Sequence, residues 1–169
     1  MERVWVVGDS GSGKTSMARA IAERLAAPHV ELDALFHEPN WTQADDAVFR
    51  GRVDEATAGR RWVVDGNYQS RVLDLQTRAD TIVWLDYPVR IRWPRVVRRS
   101  IRRAVDKQEL WNGNREQLSF WVRPDHPIWW TLTHHRTIRR EYTAVSDERW
   151  LRFRHPRAAE RWLRTLARG

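Results

Sequence analysis

Cysteine is absent from this 169-residue chain, so disulfides and thiolate-held metals are excluded. Lysine is almost absent. Lys14 and Lys107 are the only two among 30 basic residues, so arginine supplies the other 28. No apolar run approaches the roughly 20 residues that a membrane-spanning helix needs. Repeats, low-complexity tracts and Gly/Pro-rich linkers are also missing, and the length suits one domain, 1–169, with a real core. Residues 1–7 read as a strand, too short and wrongly flanked for a signal peptide, so the expected location is cytoplasmic. The net charge is +8, which fits either a polyphosphate cleft or a nucleic-acid footprint. Eleven tryptophans are many for this length, and most are expected in the core or in cleft walls.

Gly8-Asp9-Ser10-Gly11-Ser12-Gly13-Lys14-Thr15 fits the phosphate-loop pattern GxxxxGK[ST] without a mismatch. Its neighbours fit too. Val4 to Val7 read as a buried strand, and Met17, Ala18, Ile21, Ala22 and Leu25 recur at helical spacing after the loop. In that setting the glycines let backbone N–H groups turn onto a polyphosphate, and the helix N-terminus adds its positive end. Lys14 reaches the β- and γ-phosphates, and the Thr15 hydroxyl is offered to Mg²⁺.

Strands then alternate with helices. The expected strands are 29–32, 61–65, 81–86 and 150–153; the expected helices include 45–58, a basic helix from Pro88 to about Val105, 128–145 and 156–167. This alternation implies a parallel sheet with right-handed crossovers. Asp33, Asp65 and Asp86 fall at strand ends, on the sheet edge where the phosphate loop opens. Asp65 reads as a Mg²⁺ carboxylate, or else a turn aspartate; Asp86 has the same placement one strand over. Asp33 lies where a phosphate acceptor would enter and could take a hydroxyl proton, or else cap a turn. Arg71 is a clamp for an anionic acceptor or a solvated arginine.

The basic helix carries Arg90, Arg92, Arg95, Arg98, Arg99, Arg102 and Arg103. A second set, Arg136, Arg139 and Arg140, lies in an insert, 106–146, that reads as a lid over a core of 1–105 and 147–169; a packed helical hairpin is the alternative. Two arginine faces framing one cleft suit a transferring phosphoryl group. His134-His135 is a weak metal signal, because adjacent helical histidines point apart. Trp41, Trp111, Trp121, Trp129 and Trp130 could wall an aromatic pocket.

Together these residues resemble the adenylate-kinase-like P-loop proteins often labelled DNA topology modulation proteins, wider kin of the nucleoside monophosphate kinases. The resemblance rests on Gly8 to Thr15, on Leu32-Asp33-Ala34-Leu35-Phe36 followed by Trp41, on Trp62-Val63-Val64-Asp65-Gly66-Asn67-Tyr68, and on residues 79–86. It implies an α/β P-loop NTPase fold with a five-stranded parallel sheet ordered 2-3-1-4-5, flanked by helices, and a helical lid between strands 4 and 5. It implies ATP and Mg²⁺ as cofactors, with Gly8, Ser10, Gly11, Ser12, Gly13, Lys14, Thr15 and Ser16 around the nucleotide and Thr15, Asp65 and Asp86 around the metal. Lys14, Arg95, Arg99, Arg136, Arg140 and Asp33 are the expected catalytic set. Asp33, Phe36, Asn67, Tyr68 and Arg71 are the expected acceptor set, and Arg154-His155-Pro156 would border the adenine.

The expectation is a Mg-ATP-dependent phosphotransferase, a monomer or homodimer, acting on a small acceptor such as a nucleoside or nucleotide. A nucleic-acid-binding ATPase or polynucleotide-end kinase is the second reading, and a nucleotide-binding regulator the third.

Overall fold

A computed structural model of the chain describes residues 1–106, 109–114, 127–133 and 135–166. Lys107, Trp121, the 124–126 turn, His134 and the end of the expected last helix lie outside the described residues, as does the side chain of Trp130.

Five strands, β1 (Arg3–Gly8), β2 (His29–Glu31), β3 (Trp62–Asp65), β4 (Thr81–Leu85) and β5 (Trp150–Phe153), pair in parallel in the order β2-β3-β1-β4-β5. That is the expected order. The strand centres are apolar on both faces because both faces are covered. Trp5, Val7, Val64 and Trp84 point to one side, where Phe49, Val53, Leu75 and Tyr142 join them. Val4, Val6, Val63 and Val83 point to the other, against Met17, Ile21 and Ala159.

Helices α1 (Lys14–Leu25), α3 (Asp46–Ala56), α5 (Val89–Val105) and α8 (Pro156–Thr165) match expected elements, with frayed or shortened ends. Asp45 caps α3 by accepting the Ala47 N–H at 2.8 Å. His155 caps α8 through the Arg157 N–H at 3.2 Å, with Pro156 at the first helical position. Pro94 lies inside α5 rather than in its first turn. It is exposed, so the backbone bond it removes is lost on the solvent side.

Three elements differ from the sequence reading. β2 stops at Glu31, and Leu32–Phe36 forms a short helix, α2, because Leu32 and Phe36 are buried at i, i+4. Asp33 therefore sits in a helical turn just past the strand. A second short helix, α4 (Leu73–Arg78), follows β3, with Val72, Leu75 and Ala79 buried around it. The single helix expected over 128–145 is described as α6 (Pro127–Thr133) and α7 (His135–Val145).

The described parts of the insert are built into the body. Tyr142 of α7 is buried between Trp84 and Trp150, with ring centroids 5.4 and 5.7 Å away. A 3₁₀ turn, Trp111–Gly113, packs on α2 and on a second 3₁₀ turn, Pro39–Trp41. Asn114 fixes that contact by accepting the Trp41 N–H at 2.8 Å and donating to the Glu38 carbonyl at 2.9 Å.

Leu75 is fully buried and remote from the loop edge. Leu75→Ala should cost about 2–5 kcal/mol of unfolding free energy, read by urea denaturation, because the cavity it leaves collapses only in part.

Candidate nucleotide and acceptor site

The loop after β1 needs glycine on conformational grounds. Gly8, Gly11 and Gly13 have φ of 144°, 76° and 87°. Two of them also face tight neighbours. A Cβ on Gly8 would lie 2.7 Å from the Leu85 carbonyl oxygen, and one on Gly11 would lie 2.5 Å from the Arg92 carbonyl oxygen. Gly13 opens into free space, which leaves room for a ligand above the start of α1. Asn67 grips Gly8 from both sides: its Oδ1 accepts the Gly8 N–H at 3.1 Å, and its amide donates to the Gly8 carbonyl at 2.8 Å. Asn67 is thus a brace of the phosphate loop. Within the loop Ser12 is buried, Ser10 half-buried and Ser16 exposed on the first turn of α1.

Lys14 and Thr15 sit at the centre. Burial lowers the Lys14 ammonium below the usual lysine range, and Asp33, Asp65 and Asp9 oppose that shift. The Thr15 hydroxyl donates to Asp65 Oδ1 at 3.1 Å. Asp65 Oδ2 lies 2.7 Å from His29 Nε2, one strand over on β2. A hydroxyl and a carboxylate side by side form a hard oxygen donor set, which fits Mg²⁺. Among the described residues no three acidic or histidine side chains cluster as a protein-only metal cage, and a Mg²⁺ held through substrate phosphates does not need one.

Asp86 is otherwise engaged. It is buried, and each of its oxygens accepts two guanidinium N–H groups. Arg139 binds Oδ1 at 3.0 and 2.8 Å; Arg152 binds Oδ2 at 3.0 and 2.7 Å. Arg152 also stacks 4.1 Å over the Trp84 ring. Asp86 therefore ties α7 to the sheet, and the metal expectation is not carried forward for it.

The arginines sort differently from the sequence reading. Arg99 is half-buried and acts electrostatically on Lys14, whereas Arg95 is exposed and lies beside Tyr87. Of the α7 set, Arg139 faces the sheet, while Arg136 and Arg140 lie on the exposed neighbouring face. The helix buries Tyr142, and Arg139 shares that side at i, i+3. Arg92 was not singled out by sequence and is buried. Its Nε donates to the Tyr87 carbonyl at 2.7 Å, and its Nη1 pairs with Asp9 at 2.9 Å. Burial pushes the Asp9 carboxyl upward, with Arg92 and Lys14 opposing. The stripe Arg92, Val96, Arg99, Ser100 at helical spacing is the signal that could have revealed it.

On the other side of Lys14 lies the expected acceptor set. The Tyr68 hydroxyl donates to Asp33 Oδ1 at 2.7 Å, and burial raises the Tyr68 phenol well above its usual range. Phe36 is core; its ring contacts Tyr68 at 4.8 Å and Phe49 at 5.2 Å. Arg71 stacks 4.8 Å over Phe36 and pairs with Asp46. His37, beyond Phe36, lies 6.1 Å from Trp111 in a stacked arrangement and 5.4 Å from Trp41 edge-on.

Comparison with known proteins places the fold. The family described as "ATPase family associated with various cellular activities (AAA)" matches residues 4–86, from β1 through Asp86. No curated protein matches the chain. Among solved structures, shikimate kinase from Bacteroides thetaiotaomicron is similar over 98% of this chain and 96% of its own, with a TM-score of 0.63 and 14% identity. A shikimate kinase from Acinetobacter baumannii, in complex with shikimate, is similar over 97% and 89%, with a TM-score of 0.60 and 17% identity. At such identities the likeness establishes the P-loop kinase fold, which agrees with the observed sheet order and loop.

Burial lowers the His37 imidazole below its usual pKa of about 6.5, with Asp33 opposing. The unfolded chain then binds more protons than the folded one between the depressed value and pH 6.5, so stability rises with pH across that window. The contribution is fully present above pH 6.5 and is lost as the pH falls through the folded value. Chemical denaturation of wild type and His37→Phe between pH 5 and 7.5 should show a steeper rise for wild type.

Proposed function

We propose that this chain is a Mg-ATP-dependent phosphotransferase that moves the γ-phosphoryl group to a hydroxyl on a small acceptor. The observation that carries the reading is that two strand-end carboxylates, Asp33 and Asp65, both act on the loop lysine, Asp65 accepting the Thr15 hydroxyl at 3.1 Å. A triphosphate on the loop would then end between a metal-holding carboxylate and a carboxylate free to take a proton. Its support includes the resemblance to adenylate-kinase-like P-loop proteins and the shared fold with two shikimate kinases.

The loop amides and Lys14 would hold the phosphates, and Thr15 with Asp65 would hold Mg²⁺, which would supply positive charge to the transferring phosphoryl group. Tyr68 donates to Asp33 Oδ1, which fixes the carboxylate and leaves Oδ2 to take the acceptor's hydroxyl proton. The acceptor oxygen bonds to the γ-phosphorus, the bond to the β-bridging oxygen breaks, and ADP leaves. Arg99, beside Lys14, is placed to meet charge developing on the transferred group. The described parts of the insert are anchored by Arg139 on Asp86 and by the 111–113 turn on α2.

A second reading keeps one observation of its own. Arg90, Arg98 and Arg102 are exposed on the outer side of α5, a basic ridge away from the loop. If that ridge serves nucleic acid, oligonucleotide binding will weaken steeply with salt.

The test is transfer of label from γ-labelled Mg-ATP to small alcohols. Lys14→Ala should abolish transfer. Asp33→Asn should lower kcat by about 10²–10⁴-fold with Mg-ATP binding retained, because a missing general base affects the chemical step. An Asp33→Asn enzyme with wild-type kcat would contradict the role given to that carboxylate.

A further inference from the structure

The acceptor side has an unusual charge pattern. Arg19 pairs with Glu31 at 3.4 Å, Arg52 with Glu38 at 2.7 Å and Arg71 with Asp46, while the exposed Arg50, next to Phe49, donates to the Arg71 carbonyl at 2.8 Å. Asp33 is different, because its Oδ1 accepts from the uncharged Tyr68 hydroxyl. His37 adds no cation, since its Nδ1 is buried without a hydrogen-bond partner and burial disfavours its charged form. Once the donor phosphates engage Lys14, whose charge otherwise acts on Asp33, an anion entering beside the Asp33 carboxylate would meet a like charge.

The walls are rings. Phe49, Tyr68, Phe36 and His37 form a continuous chain of contacts at 4.8–5.3 Å, extended by Trp41 and Trp111. Tyr68, His37, Trp41 and Trp111 are only half-buried, so ring surface remains open to a ligand. Trp111 is held in place: its Nε1–H donates to Glu31 at 3.0 Å, and its neighbour Asn112 donates to the Ala34 and His37 carbonyls at 3.3 and 2.5 Å. The insert therefore contributes a fixed aromatic wall.

We infer that the acceptor is an uncharged alcohol bearing a flat ring, a nucleoside-like molecule, and that phosphate and carboxylate anions are discriminated against. This rests on the phosphotransferase reading above and narrows it. The flat ring lies on the aromatic wall. The hydroxyl gives its proton to Asp33 as its oxygen bonds to the γ-phosphorus, and ADP departs.

The experiment measures kcat/KM with γ-labelled Mg-ATP for adenosine, guanosine, cytidine and thymidine, each against its own 5′-monophosphate, with shikimate as a ring-bearing carboxylate. The best nucleoside should exceed its monophosphate and shikimate by more than about tenfold, because like-charge juxtaposition is costly. Asp46→Asn, which releases Arg71, should narrow that ratio by improving the monophosphate. Trp111→Ala should raise KM for the nucleoside while leaving the Kd for Mg-ATP unmoved. A monophosphate or shikimate as best acceptor overturns the inference while the phosphotransferase reading stands, and so does a ratio that Asp46→Asn fails to change. Transfer to none of these acceptors but to another small alcohol overturns the inference alone, and Mg-ATP binding with transfer to no alcohol at all overturns both.

Discussion

The glycine turn after β1 holds its shape because two other elements brace it. Gly8 is gripped by the Asn67 side chain from the β3 edge. Gly11 lies against the backbone of α5 at Arg92, too close for any side chain. Asp9, between them, is buried with the Arg92 guanidinium beside it. A turn with three residues at positive φ is costly in isolation, and it persists where the surroundings over-determine it. From that one braced turn the rest follows: α1 begins at Lys14, Thr15 meets Asp65, and Lys14 looks toward Asp33.

The buried charges around the loop form two adjoining ion-paired groups that act on each other. One is Asp9 with Arg92, which fastens α5 to the turn. The other is Asp86 with Arg139 and Arg152, which fastens α7 to the end of β4. Removing one partner from either leaves a buried charge without compensation, a larger loss than deleting the pair. These arginines act as fasteners, whereas Arg99 acts on the loop lysine, Lys14.

The phosphate loop was legible because its spacing is a backbone requirement that few other structures impose. The strands were legible as apolar runs, since both sheet faces are covered. The sequence could not place the end of β2, because Leu32 completes an apolar run and yet belongs to the helical turn that carries Asp33. It could not choose among Arg136, Arg139 and Arg140 without knowing that α7 buries Tyr142. Asn67 looked like a substrate residue by position, but its side chain was drawn to two backbone groups of Gly8. Asp86 looked like a metal ligand until two arginines, from α7 and from β5, arrived at its oxygens. In each case the missing information was long-range: which face a helix buries, and which charge reaches a carboxylate first.

The central claim is that the turn from Gly8 to Thr15 wraps a triphosphate, with Thr15 and Asp65 serving its metal. Calorimetric titration with ATP, in Mg²⁺ and again in excess chelator, tests it most directly. The account predicts saturable binding that tightens with Mg²⁺ in wild type, and an Asp65→Asn protein in which the Mg²⁺ dependence is lost while metal-free binding persists. Absence of ATP binding by folded protein, or affinity indifferent to Mg²⁺, would contradict it.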